Sequence, residues 1–207
     1  MILWQAPSLD ATLIFTSNYF IYLYFIGAYL YGAIPFGFII GKQFFGIDLR
    51  EHGSKNIGAT NVMRVIGRNP GLLTFFLDST KSALVVMIGW YFFSENNLIP
   101  LLGGIISILG HTKSIYLKFQ GGKGVASFFG ALLVLDIYIF AAAALSWGLI
   151  YMMTRVSAIA AVMTFLLLPV TIYQFHQDVV FWLLLFSCFY VISLHHSNIK
   201  KLLTPSQ

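Results

Sequence analysis

Apolar residues run along this chain in blocks far longer than one face of a soluble helix requires, and polar residues gather in short gaps between them. Seven blocks, at residues 17–41, 71–93, 98–113, 124–135, 137–153, 157–173 and 179–195, each predict a helix committed to a bilayer. The fourth is the exception in length. At 1.5 Å per residue it reaches about 18 Å, short of a ~30 Å hydrocarbon core. Fusing residues 124–153 into one helix would send Arg155, Lys200 and Lys201 to the opposite side from the other basic residues. Two helices are therefore predicted, the first short and surrounded by protein.

Composition agrees with the pattern. The 207 residues are 58% hydrophobic and 9% charged, with a mean hydropathy of +0.83, where a soluble domain carries about 25% charge. Residues 1–10 lack the basic start and small-residue cleavage site of a signal peptide, so the first block is expected to remain in the mature protein. Cys188, the single cysteine, lies in the apolar run FWLLLFSCFYVISL and is expected to pack rather than react.

Charge sets the orientation. Lys42, Arg50, Lys55, Arg64 and Arg68 share the first gap; Lys118 and Lys123 lie in another, with Lys113 at a helix end; Arg155 follows the fifth block, and Lys200 and Lys201 follow the seventh. The alternate gaps hold Asp10, Glu95, Asp136 and Asp178. Basic loops face the cytoplasm. The fold class is thus an all-α integral membrane bundle of seven transmembrane helices, amino terminus outside and carboxyl terminus cytoplasmic, with residues 1–207 forming one membrane-embedded domain. A net charge of +5 spread along one membrane face suits anionic small molecules or headgroups and excludes a nucleic-acid partner.

Three polar constellations fall on that face. GSKNIGATN, residues 53–61, combines Gly53, Ser54, Asn56, Gly58, Thr60 and Asn61 with the flanking Arg64, the ingredients of an anion nest. Ala59 stands where a nucleotide-binding loop requires lysine, which excludes that motif. FQGGKGVASFFG, residues 119–130, sets Gly121, Gly122 and Gly124 around Lys123 at the start of an apolar helix, a second arrangement suited to phosphate. HHSNIKK, residues 195–201, puts His195 and Asn198 on one face of a continuing helix.

Asp78 and Lys81 lie three apart inside the second block and are expected to pair, structurally or in catalysis. His111 ends the third block and is an intramembrane site candidate, against an equal expectation of simple packing. His176, in an acidic gap, carries no expected chemistry. No His or Cys pair has zinc-like spacing, so no metal and no cofactor is expected. A G-x-S-x-G hydrolase elbow is missing as well.

Five motifs in order, GAIPFGFIIGK with IDLREHGSKNIGATNVMRVIGR, then FLDSTKS, LGH, KFQGGKGVASFFG with TRVSAIAA, and HHSNIKKL, make the chain strongly resemble the PlsY family of bacterial acyltransferases. The resemblance implies transfer of a fatty acyl group from acyl phosphate to the sn-1 hydroxyl of glycerol 3-phosphate, the first step of phospholipid synthesis, in the bacterial inner membrane with its site on the cytoplasmic side. It implies that Ser54, Arg64, Lys123, His195 and Asn198 are catalytic. Gly53, Asn56, Thr60, Asn61, Gly121, Gly122, Gly124, Ser157 and His111 become expected substrate contacts. The family serine at the sixth helix falls near Ser157, while ungapped alignment on Ile159 places it at Ala158. Membrane lipid is the expected surrounding, with no obligate protein partner.

The chain departs from the family pattern at Lys55 for glycine, Ala33 for serine, Ser82 for glycine, Ser114 for proline and Gln207 near a terminal glutamate. A lysine at residue 55 is strained if that position needs a positive φ. An organophosphate transporter or lipid-binding relative is the competing reading of another class, though no matched pair of interrupted helices suggests an inverted repeat. An acyltransferase using acyl-CoA or acyl carrier protein is the other. None of the five histidines has an aspartate five positions on, as those enzymes require.

Overall fold

The protein was analysed as a computed structural model describing residues 18–203; Asp10, the rest of residues 1–10, and Gln207 lie outside that range. Every regular element among the described residues is helical: α1 (Asn18–Gly32), α2 (Phe36–Ile39), α3 (Ala59–Val65), α4 (Arg68–Phe92), α5 (Leu98–Thr112), α6 (Val125–Leu135), α7 (Ile137–Thr154), α8 (Ser157–Phe175), α9 (Val179–Ser193) and α10 (His196–Leu203). Among the described residues, five segments are long and apolar enough to cross a membrane: Tyr19–Phe44, Arg68–Phe92, Leu98–Leu117, Ile137–Thr154 and Ser157–Phe175. Two further apolar helices, α6 and α9, are shorter.

The first predicted block is not one straight helix. Pro35 has no N–H to donate, and the chain breaks between Gly32 and Phe36 before winding on through α2 into a π-turn, Ile40–Phe44. That break leaves the Ile34 carbonyl without a helical partner and available to a side chain. The predicted division of residues 124–153 falls at Asp136, whose Oδ1 accepts from the N–H groups of Tyr138 (2.9 Å) and Ile139 (3.1 Å) and so starts α7. His176 Nε2 lies 3.3 Å from Asp136 Oδ2, which joins that turn to the α8–α9 turn.

At 11 residues α6 is about 16 Å long and is enclosed by protein, with Ser127 through Leu132 all buried. It packs most extensively on α4, where Gly130 sits directly on the Ser79 carbonyl and no Cβ would fit. The core gathers Phe128, Phe129 and Leu132 of α6 with Val86 of α4, Ile108 of α5, Phe165 of α8 and Cys188 of α9. Phe128 and Phe165 meet edge to face at 4.9 Å. Outward positions such as Phe76, Met87, Leu149, Met153, Val170 and Phe186 are exposed and apolar, as a lipid-facing surface requires.

Inside this apolar assembly Lys81 is fully buried. Its Nζ donates to Asp78 Oδ1 (2.9 Å) and to the Ile34 carbonyl (2.9 Å), and sits 2.8 Å from His111 Nδ1. The pair expected from the sequence thus fastens α4 to the break after α1 and to the end of α5. Lys81→Met leaves the Asp78 carboxylate buried without its partner and is expected to cost ~3–5 kcal/mol, whereas Asp78→Leu with Lys81→Met regains most of that; thermal unfolding in detergent measures both.

Candidate active site

The segment between the π-turn and α3 folds back on itself through its own polar side chains. Asp48 accepts from Arg50 at Oδ1 (Nε, 2.9 Å) and Oδ2 (Nη2, 2.6 Å), and the Arg50 guanidinium stacks 4.6 Å over the Phe38 ring. These Arg50 hydrogen bonds hold the Asp48 carboxyl down at about 2, against burial, which pushes it up. The stabilisation is therefore present above the ordinary carboxylate range and is lost as pH falls toward 2.

Asn61, buried at the start of α3, holds the rest of the loop. Its Oδ1 accepts from the Ser54 N–H (2.8 Å), and its Nδ2 donates to the carbonyls of Asn56 (2.8 Å), His52 (3.0 Å) and Leu49 (3.3 Å). Asn56 Oδ1 accepts from the Gly58 N–H at 2.7 Å. Gly53 and Lys55 both adopt φ +60°. The lysine therefore occupies the left-handed conformation that glycine tolerates without strain.

Lys123 leaves a loop clamped onto the end of α5. Gly121 N–H donates to the Thr112 carbonyl (3.0 Å) and Gly122 N–H to the His111 carbonyl (3.0 Å). These two N–H groups are thus committed to the protein rather than presented to an anion. Gly122 sits against the His111 ring, where any Cβ would collide with Nε2. Gly124, at φ +85°, turns the chain into α6.

After α9 the helix breaks at residues 194–195 and restarts as α10, with the Asn198 and Ile199 N–H groups both donating to the His195 carbonyl at 2.9 Å. His195 Nδ1 is 2.8 Å from the Val191 carbonyl. Burial holds the imidazole below its ordinary value and the nearby Lys123 charge adds to this, while the Val191 hydrogen bond opposes both. The balance favours the neutral ring.

These elements surround one cavity of about 750 Å³. All five residues expected to be catalytic, Ser54, Arg64, Lys123, His195 and Asn198, line it. So do Gly53, Asn56, Thr60, Asn61, Gly124, Ser157 and His111, whereas Gly121 and Gly122 do not. Thr60 Oγ1 and Ser157 Oγ share a hydrogen bond of 3.0 Å that links α3 to the start of α8, and both Ser157 and Ala158 reach the cavity. Lys42, Arg50 and Arg68 are absent from the lining.

In the sequence Arg155 serves only to set topology. It lines the cavity from a left-handed position (φ 54°) at the end of α7, and its only sequence signal is its place in TRVSAIAA beside Ser157. Three cations, Arg64, Lys123 and Arg155, thus face one lining carboxylate, Asp78, which is already paired with Lys81. Apolar side chains from α4, α6 and α7, among them Leu72, Phe75, Phe129 and Trp147, complete the walls. Among the described residues no group of three or more His, Cys, Asp or Glu is placed to hold a metal.

Two departures from the family pattern have polar partners. Ser114 Oγ donates to the Ala33 carbonyl (2.6 Å), and Ser82 Oγ meets Ser107 Oγ at 2.9 Å.

A cationic cavity with an apolar wall, enclosed by membrane-length helices, defines a multi-pass membrane protein suited to amphiphilic anions. A family model for glycerol-3-phosphate acyltransferase matches residues 22–205. A glycerol-3-phosphate acyltransferase of Acaryochloris marina is 34% identical, with 84% of each chain covered. One from Dinoroseobacter shibae is 38% identical over 84% of this chain and 85% of its own. The crystal structure of PlsY in its glycerol 3-phosphate form superposes with a TM-score of 0.84 at 32% identity, covering 88% of this chain and 92% of that one. The lysophosphatidic acid form gives 0.81. The chain belongs to the glycerol-3-phosphate acyltransferase family.

Asn61→Ala removes the Ser54 acceptor and both amide N–H donors from the loop. A loss of about 2–3 kcal/mol and of at least about tenfold in turnover is expected, read by thermal unfolding and initial rates. Lys55→Gly releases the left-handed lysine and is expected to stabilise the protein by up to about 1 kcal/mol.

Proposed function

We propose that this acyltransferase takes its acyl group from acyl phosphate and delivers it to the sn-1 hydroxyl of glycerol 3-phosphate, giving lysophosphatidate and inorganic phosphate. The carrying observation is the juxtaposition of Arg64, Lys123 and Arg155 with the apolar Leu72, Phe75 and Phe129 in one cavity. Both proposed substrates bring a phosphate and one brings a hydrocarbon chain. A mixed anhydride is already activated, so holding the hydroxyl beside its carbonyl supplies much of the acceleration, on the order of several kcal/mol. The cations stabilise charge gathering on the departing phosphate.

The hydroxyl proton passes to a phosphate oxygen of the acyl donor, because the lining is dominated by donors and cations. One observation favours a second route. The Val191 carbonyl can only accept, so neutral His195 carries its proton on Nδ1 and keeps a lone pair on Nε2, able to receive the same hydrogen bond. If a pH-rate profile is governed by one titration that disappears in His195→Gln while donor binding persists, the phosphate route fails.

This reading assigns the bilayer orientation from the basic loops: seven crossings, amino terminus outside, carboxyl terminus and cavity on the cytoplasmic face of a bacterial inner membrane. The purified protein in lipid is expected to release phosphate from acyl phosphate only when glycerol 3-phosphate is added. Equal turnover with acyl-CoA would overturn the donor, and uptake of the phosphate ester into vesicles without chemistry would favour transport. Arg64→Ala and Lys123→Ala are each expected to cost about 10²–10³ in kcat/KM in that assay.

A further inference from the structure

The surroundings of Lys81 determine the protonation of His111. An ammonium has three N–H donors and no lone pair. The Lys81 Nζ has three acceptors within reach: Asp78 Oδ1 and the Ile34 carbonyl at 2.9 Å each, and His111 Nδ1 at 2.8 Å. All three donors are used, and the third requires His111 Nδ1 to accept. Asp78 Oδ1, at 3.5 Å from that nitrogen, balances the lysine rather than taking an imidazole N–H. The ring proton of His111 therefore sits on Nε2, and a second proton is excluded because it would face the ammonium.

Nε2 lies on the side of the ring next to Gly122, where a Cβ would collide with it. Among the described residues no protein acceptor is hydrogen-bonded to Nε2, and His111 lines the cavity. A residue of the cavity wall thus carries a neutral N–H donor, fixed by a buried ion pair that has no other role in the proposed chemistry.

We propose that His111 donates this Nε2–H to the carbonyl oxygen of the acyl donor, and that Lys81 is the positioning residue that keeps it a donor; this rests on the acyl-transfer reading above. The local chemistry selects a carbonyl over a phosphate. Asp78, 3.5 Å from the other ring nitrogen, would repel a dianion at His111. A carbonyl oxygen is neutral when it binds and gains charge only as bonds change. The glycerol phosphate hydroxyl oxygen bonds to the carbonyl carbon, and the π pair moves onto the oxygen held by His111. When that pair returns, the bond from carbon to the bridging phosphate oxygen breaks. Phosphate leaves with those electrons and takes the hydroxyl proton.

The test combines nitrogen NMR with turnover. In protein labelled with ¹⁵N-histidine, the His111 signals, assigned by their loss in His111→Gln, are expected to show a neutral ring protonated at Nε2. His111→Phe is expected to lower kcat by about 10²–10³, with the glycerol 3-phosphate KM within about threefold. His111→Gln, whose side-chain amide reaches the Nε2 position, is expected to recover at least about tenfold of that loss. A ring protonated at Nδ1 overturns the proposal even if the variants fold poorly. So does His111→Phe turnover within about threefold of the wild type, or a glutamine no better than phenylalanine. Wild-type protein that ignores acyl phosphate but uses another acyl donor defeats the donor assignment alone, since the His111 comparison is then made with that donor.

Discussion

An ammonium group buried without water must find a partner for every N–H, and the described fold is arranged around that requirement at Lys81. Its three bonds reach its own helix, the broken end of α1 and the last turn of α5. Ser127, one turn into α6, donates to the Asp78 carbonyl at 3.0 Å and adds a fourth segment to the same point. A charge that would be prohibitive in isolation thereby acts as a bolt. The elements it joins are those that carry the glycine loop and back the cavity.

α6 is shorter than α4, α7 and α8, and residues of all four line the cavity together with α3 and its loop. Leu49 and Ile57 anchor the loop by burial, and its many polar residues are tied by Asn61 from within and by Thr60 against Ser157. Arg64, Lys123 and Arg155 can then reach the cavity from an ordered frame.

Much of this was legible in the sequence, for identifiable reasons. Continuous apolar runs mark the membrane helices, and charge parity correctly divided the chain at Asp136 because an aspartate in such a run is also a helix cap. Donor density marked the Ser54 loop and the Lys123 loop. The same reasoning was blind to direction: Gly121 and Gly122 look like an anion cradle by composition, yet their N–H groups turn onto the α5 carbonyls. The break at residues 33–35 escaped because one proline in an apolar run reads as a kink, and its outcome depends on a lysine 47 residues away. Arg155 was hidden by its resemblance to any other basic loop residue.

The short α6 has a consequence for supply. A span of about 16 Å falls short of the ~30 Å hydrocarbon depth, and Val125, Ala126 and Phe129 of this helix line the cavity. A tailed molecule and a fully water-soluble one can therefore meet there without either crossing into the other's phase. On the proposed reading, bilayer and cytosol each act as the reservoir for one reactant, and the product is formed already dissolved in the medium where it is used.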